Sequence, residues 1–489
     1  MPFDLAVVAP ELLVTFLAVA VLCWDWVTGR KRSLGMLALF GLLAVGGVII
    51  GQMAAGGGVG TTLAGMFFGD QFGLLLRLGV ALSAALVVAL SLDFVGERPY
   101  GGEFYALLLM AVLGAMLAVT AGDLVEIFLA VELLSIASYV LSGWAKEERR
   151  GAEAALKYLL FGGTSSGLYL MGAALLFGIT GTTQLQAMAG QLQGAQGPFA
   201  GVALLGGLLA IAGLGYKVAA VPFHGWTPDV YEGAPVPVAA FLSVGSKIAG
   251  FAVLVRLLTL GLPSLASHWQ IVVALVSVAS MTFGNLVALT QSNVKRMLGY
   301  SSIAQAGYLL LGLVAAASVK TESVGLAAMV FYLLGYVFMN LGAFAVVTAY
   351  AHLTGREEMR DYAGLAVRSP WLAFFMLVCM VSLAGLPPFV GFWGKFYLFA
   401  AVVQFAQETA SPIYLWLAVI GVLNSVVSMY YYMRIPKAMY LEKGDSTEPL
   451  LPLPALSATA FVGAVGAFAM FIFPQPVWEQ ALAAVRTLL

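Results

Sequence analysis

Runs of about 20 apolar residues recur along this chain with almost no polar sequence between them, each long enough to span a hydrocarbon core of about 30 Å as a helix. Lipid offers backbone groups no partners, so each run must satisfy its own hydrogen bonds. The fold class this dictates is an all-α polytopic membrane protein. About fourteen spans are predicted, near 5–27, 34–54, 70–94, 103–121, 123–143, 153–180, 199–222, 236–260, 269–290, 300–318, 325–351, 370–402, 411–433 and 451–473. Composition agrees, with 61% hydrophobic and 10% charged residues and a mean hydropathy of +0.97. Residues 1–27 contain Asp4 and Glu11 and lack a basic leader, so they read as the first membrane helix and not a cleaved signal.

Several function classes are disfavoured at once. A net charge of -1 gives no electrostatic case for nucleic acid. Cys23 and Cys379 are too few and too far apart for a cysteine-ligated cluster, and the three histidines lack haem-ligand pairing, so no cofactor is expected in this chain.

The loops fix an orientation. With the N-terminus outside, the inside loops carry Arg30, Lys31, Arg32, Arg98, Lys146, Arg149, Arg150, Lys295, Arg296, Arg356, Arg360, Arg368, Arg434, Lys437 and Lys443, which is 15 of the 23 basic residues. The outside holds only Lys320 and Arg486. Both termini are therefore expected outside.

A self-comparison adds a second constraint. Pro222-Phe223-His224-Gly225-Trp226, followed by Asp229 and Tyr231, recurs as Pro388-Phe389-Val390-Gly391-Phe392, followed by Lys395 and Tyr397, an offset of 166 residues as from Tyr231 to Tyr397. Ser135-Ile136-Ala137 is matched by Ser302-Ile303-Ala304 at an offset of 167, as from Ser135 to Ser302. Two such matches suggest a duplicated five-helix unit. Five helices is an odd number, so the copies must be inverted, the plan of secondary transporters whose sites lie on broken helices. The expected organisation is 1–102 for helices 1–3, 103–260 for the first repeat, 261–434 for the second and 435–489 for the C-terminal helix. Pro222 and Pro387-Pro388 mark the breaks and free the carbonyls of Val218 and Ala384.

Ionisable residues inside the spans then stand out, because a lysine at the bilayer centre costs roughly 2.5–3.5 kcal/mol. Glu132 lies within the fifth span, Lys157 near the inner start of the sixth and Lys217 at the break of the seventh. Lys247 lies about 16 Å into the eighth, and Lys395 follows the second break. His224 either caps the broken helix or connects the lysines; Lys157 either snorkels or connects. Arg256 is expected to snorkel, Arg77 to pair with Asp70, and Asp229 and Glu232 to sit in an inside loop. Burial disfavours a charged lysine and a nearby carboxylate restores it. A Glu132–Lys217 pair at about 6 Å is worth about 2.8 kcal/mol, so separating the two would release a proton. A row of lysines also disfavours a sodium site.

The run from Lys217 to Tyr231, with Ala234-Pro235-Val236-Pro237-Val238 and Ser243 to Lys247, resembles the signature of the antiporter-like subunits of respiratory complex I, relatives of Mrp-type cation/proton antiporters and membrane-bound hydrogenases. The resemblance covers essentially all predicted spans. It implies a proton path through Glu132, Lys217, Lys247 and Lys395 with Lys157 and His224 connecting, other membrane-arm subunits as partners, and redox centres held elsewhere. Lys395 in place of a glutamate, and a chain ending soon after the fourteenth span, narrow the choice of subunit. The alternatives are an Mrp-like cation/proton antiporter subunit and a scaffold for neighbouring pumps.

Overall fold

The computed structural model describes residues 5–28, 31–56, 60–62, 65–96, 98, 100–193, 198–316 and 322–489; Asp4, Arg30 and Lys320 lie outside them. The first three long helices are α1 (Ala9–Val27), α2 (Lys31–Ala54) and α3 (Gln71–Val95), with a short antiparallel pair, β1 (Thr61–Thr62) and β2 (Phe67–Phe68), before α3. The first repeat runs through α4 (Gly101–Thr120), α5 (Leu124–Ser142), α6 (Arg149–Thr180), the short α7 (Leu185–Leu192), α8 (Pro198–Lys217), α9 (Thr227–Gly233) and α10 (Val236–Val255). A wider π turn, Arg256–Gly261, prolongs α10. The second runs through α11 (Ala266–Ala288), α12 (Val294–Ala315), α13 (Glu322–Thr354), α14 (Leu365–Arg368), α15 (Pro370–Ala384), α16 (Val390–Thr409) and α17 (Pro412–Leu441). The chain closes with α18 (Pro454–Ile472) and α19 (Pro474–Leu488).

Thirteen helices among the described residues are long and apolar enough to cross a membrane. The remaining predicted window, 370–402, is the one the structure divides, into α15 and α16. Polar caps start several of the others: Asp70, Asp123 and Asn293 accept from Gly73, Val125 and Arg296 backbone N–H groups. Every residue of α10 is buried, and α3, α4 and α13 pack round it to form the centre. The outer helices α2, α6 and α17 instead expose large apolar side chains such as Phe40, Leu160 and Val426. The last helix, α19, was not expected. It buries Ala481, Ala484, Val485 and Leu488 on one face and sets Trp478 4.4 Å from the Tyr397 ring.

The duplication is visible as matched geometry at opposite ends. Asp123 caps α5 and bridges Gln184, and Asn293 caps α12 and bridges Glu358. A Cβ added at Gly114 would lie 2.5 Å from Leu134 N, and one at Gly284 would lie 2.6 Å from Ala304 N, so both helix pairs need glycine for close approach. The caps and the glycine contacts share an offset of 170 residues, as from Asp123 to Asn293. The short Ser-Ile-Ala match at 167 is therefore out of register: Ser135 corresponds to Gln305, and Glu132 to Ser302. Three residues of helix are nearly one turn, so the mistaken match still falls on the same face.

The loops predicted inside gather at one end of the bundle. There Arg98 pairs with Glu148 at 3.7 Å, Lys295 with Glu357 at 2.7 Å, and Arg296 with Asp229 and Glu232 at 2.7 and 2.9 Å. At the opposite end two expected assignments are corrected. Arg77 pairs with Glu11 at 3.2 Å, and Asp70 is held by Arg256 through two bonds of 2.8 Å. Arg256 is fully buried and donates Nε to Val119 O, so it does not snorkel. A guanidinium fork matches a carboxylate best when both are fixed by packing, which Asp70 at the cap of α3 provides.

Candidate functional site

Both breaks are built the same way. At the end of α8, Ala219 takes a φ of 62°, its N–H donates to Tyr216 O, and Ala220 N–H donates to Gly215 O. At the end of α15, Gly385 takes a φ of 87°, its N–H donates to Ser382 O, and Leu386 N–H donates to Val381 O. The Val221–Pro222 and Pro387–Pro388 bonds are both cis. Here the 166-residue offset holds for every element of the break.

Lys217, the last residue of α8, is 2% exposed. Its Nζ donates to Ser135 Oγ at 2.9 Å and lies 5.9 Å from the centre of the Tyr158 ring. Tyr158 stacks on Trp226 at 4.4 Å, and Trp226 Nε1 donates to Tyr216 O, so the segment beyond the break folds back to wall in the lysine. Glu132 sits one turn before Ser135 on α5, half-buried, and accepts from Ser166 of α6. It makes no ion pair with Lys217 within 4.0 Å.

Lys247, 1% exposed on α10, donates to Ser302 O at 2.5 Å and Ser302 Oγ at 2.6 Å, beneath the Tyr336 ring at 5.8 Å. Ser302 Oγ also meets Tyr231 Oη at 3.1 Å. Between Lys217 and Lys247, the hydroxyls of Tyr158, Ser246 and Tyr336 are buried without a hydrogen-bond partner. Buried polar groups of this kind are ordinarily satisfied by water.

Lys395, 3% exposed on α16, donates to Ala384 O and Ser425 Oγ, each at 3.0 Å, with the Tyr308 ring 4.6 Å away. Ala384 is the carbonyl that the second proline frees. Sequence reasoning missed the uncharged polar groups next to the partners of these two lysines, Ser302 and Ala384. Ser301 meets Tyr432 at 2.5 Å, Gln305 donates to Tyr432 at 3.1 Å and to Leu383 O at 3.2 Å, and Tyr332 donates to Gln305 at 2.5 Å. Beside them Asn285 links Tyr308, Tyr431 and Asn424. Amides inside membrane spans are the signal that would have found Gln305, Asn285 and Asn424.

The two remaining expected residues lie apart from the lysine row. Lys157 is part-exposed and bridges Glu153 and Asp229 at 2.7 Å each, within the ion cluster at the basic end that also holds Arg296 and Glu232. Asp229 and Glu232 sit on α9, a short helix in place of the expected loop. His224 is half-buried in the turn after the first break, its ring 4.5 Å from Phe283 and its Nδ1 buried without a partner.

The family described as NADH:quinone oxidoreductase/Mrp antiporter, TM, matches residues 121–426, from the start of α5 into α17. The NAD(P)H-quinone oxidoreductase subunit 2 of Gloeobacter violaceus is 44% identical over 89% of this chain and 82% of its own length. The NADH-quinone oxidoreductase subunit N of Moorella thermoacetica is 41% identical over 92% of each. A chain of respiratory complex I from Thermus thermophilus superposes with a TM-score of 0.79 at 32% identity, covering 96% of this chain and 98% of that one.

Proposed function

Because this chain belongs to the NADH:quinone oxidoreductase/Mrp antiporter family of membrane subunits, we propose that it is the subunit N of an NADH:quinone oxidoreductase. In that role it moves protons across the membrane while quinone is reduced elsewhere in the complex. Its partners are the other membrane-arm subunits, and it is a multi-pass protein of the bilayer. Its place is a bacterial inner membrane with the basic end cytoplasmic and both termini periplasmic, a reading supported by the basic-residue asymmetry.

One observation carries the assignment. Three lysines are buried inside one bundle, and each ammonium is held by neutral oxygens, with no ion pair within 4.0 Å among the described residues. A permanent charge in such a setting is costly, and hydroxyls and carbonyls are partners that an ammonium can leave on losing its proton. A purely structural lysine would instead be expected beside a carboxylate, as Arg256 is beside Asp70.

The lysines take distinct roles. Lys247 accepts a proton from the cytoplasmic side. Lys217 holds or releases one according to how near Glu132 stands, Glu132 being one helical turn from the serine that now binds Lys217. Lys395 passes the proton outward, reached through Ser301, Gln305 and Tyr432. Lys157 and His224 serve as connecting groups at the cytoplasmic rim and at the first break. Moving one proton against about 200 mV requires about 4.6 kcal/mol, more than one charge pair supplies, so the groups act in concert.

Substituting Lys217 with Ala in the assembled enzyme should lower NADH-driven proton translocation severalfold and slow coupled turnover. Normal pumping by a fully assembled variant would remove Lys217 from the path.

A further inference from the structure

Two of the cavities at the basic end lie beside α9 and the start of α10. One, of about 190 Å³, is the ion cluster of Lys157, Asp229, Glu232 and Arg296. The other, of about 390 Å³, lies between Arg98, Glu148, Lys295 and Glu357 at its rim and Thr348 and His352 of α13 within it, against the start of α10. From that second cavity, α13 carries His352, Thr348, Phe344, Asn340 and Tyr336 at four-residue intervals over about 24 Å, a row that drifts about 40° round the helix at each step and follows the seam with α10 through the Asn340–Ser243 and Tyr336–Lys247 contacts. The line ends at Lys247, whose Nζ lies 5.8 Å from the centre of the Tyr336 ring.

Polar groups from α10 complete the row. Asn340 Nδ2 donates to Ser243 Oγ at 2.6 Å, and beyond it Ser246 Oγ and Tyr336 Oη are buried without partners. The row has a single interruption. Phe344 is fully buried between Thr348 and Asn340, and its ring meets the Tyr231 ring edge-on at 6.2 Å. Tyr231 in turn bonds the serine that holds Lys247. An aromatic ring between two polar stretches blocks hydration of the row, and this ring packs on Tyr231, which shares Ser302 Oγ with Lys247.

We propose that protons reach Lys247 from this second cavity along the seam of α10 and α13, and that Phe344 is the plug closing that intake, moved by Tyr231 when Lys247 leaves Ser302. The proposal rests on Lys247 being a proton carrier. It assigns the intake to the second repeat's helix α13, not to the ion cluster beside Lys157.

The test uses the assembled oxidoreductase in proteoliposomes and inside-out vesicles. A Thr348→Val, Asn340→Leu double variant should lose proton translocation to the level of Lys247→Ala, while Thr348→Ser keeps at least half. Phe344→Ala should dissipate an imposed pH gradient severalfold faster in the resting enzyme. Independently of pumping, in a Cys23→Ser background a cysteine placed by Thr348→Cys should react with a charged methanethiosulfonate reagent from the cytoplasmic face. One placed by Asn340→Cys should react only when Phe344→Ala is also present. This labelling decides the matter if the double variant fails to assemble. An unreactive Thr348→Cys, or a leak unchanged by Phe344→Ala, overturns the intake or the plug respectively. Normal pumping by the double variant, while Lys247→Ala is impaired, overturns the route and leaves the carrier role standing. Normal pumping by Lys247→Ala removes that role and the proposal with it.

Discussion

The two broken helices share a scaffold and differ in how each holds its lysine. Ala219 and Gly385 occupy the same left-handed turn, and the same two backbone bonds close both ends. Yet Lys217 precedes its break by two residues and leans on a side chain of another helix, Ser135 of α5. Lys395 follows its break and binds the carbonyl that the break itself exposes, Ala384 O. The second site is therefore largely built by the break itself, whereas the first depends on a side chain of another helix. The position matching Lys395 in the first repeat is Asp229, drawn off into the basic-end cluster, and the position matching Lys217 in the second is Leu383. On the proposed path, it is this symmetric backbone with unsymmetric charge that would set the direction.

That contrast can be broken by moving the charge. A Lys217→Leu, Leu383→Lys double variant keeps the number of lysines but places the second beside Gln305, where the position matching Glu132 is a serine. It should translocate protons no better than Lys217→Ala, a severalfold loss, measured as NADH-driven acidification in proteoliposomes. Recovery of pumping would mean that the two halves are interchangeable.

The next effect in size concerns the left-handed residue. A Cβ at Gly385 would come within 2.7 Å of Lys395 Cδ at a φ of 87°, so Gly385→Ala strains the turn and displaces the lysine together. The expected result is roughly tenfold slower pumping, from a cost of about 1–2 kcal/mol for the turn. The hydroxyls should rank below it and differ from each other. Ser135→Ala removes a charge-assisted bond worth about 1.5–3 kcal/mol in isolation and should slow translocation severalfold. Ser425→Ala leaves Ala384 O in place and should cost twofold or less. Equal effects of the two serine variants would contradict the distinction between a site that rests on another helix and one largely built by the break. Smallest is Ala219→Gly, which relieves an alanine at a φ of 62° and should raise the thermal midpoint of the purified enzyme slightly, with pumping unchanged.

Much of this contrast is legible in the amino-acid sequence alone. The lysines stand out because charge is rare in apolar sequence, and the prolines locate the breaks and the freed Ala384 carbonyl. What the sequence hides are relations between distant segments. Arg77 has an acidic neighbour seven residues away in Asp70, but Glu11, from another helix, reaches it first, and Asp70 is taken by Arg256, 186 residues on. The link proposed from Lys247 to Lys395 runs by Ser301, Gln305 and Tyr432, side chains that carry no charge and so leave no mark on a hydropathy profile. The cap of α12 corrects the repeat register by three residues, a shift that a three-letter match could not resolve. The amphipathic α19 escapes notice because a search for spans looks for helices apolar all round.

Whether the buried lysines of this chain carry protons in series can be decided by counting protons translocated per NADH oxidised in proteoliposomes. The comparison is between wild-type enzyme and fully assembled Lys217→Met, Lys247→Met and Lys395→Met variants. Transfer in series requires that all three lose the same share of translocation, and that combining them removes no more than any one alone. Wild-type ratios and rates in the variants, or losses that add from one substitution to the next, would contradict it.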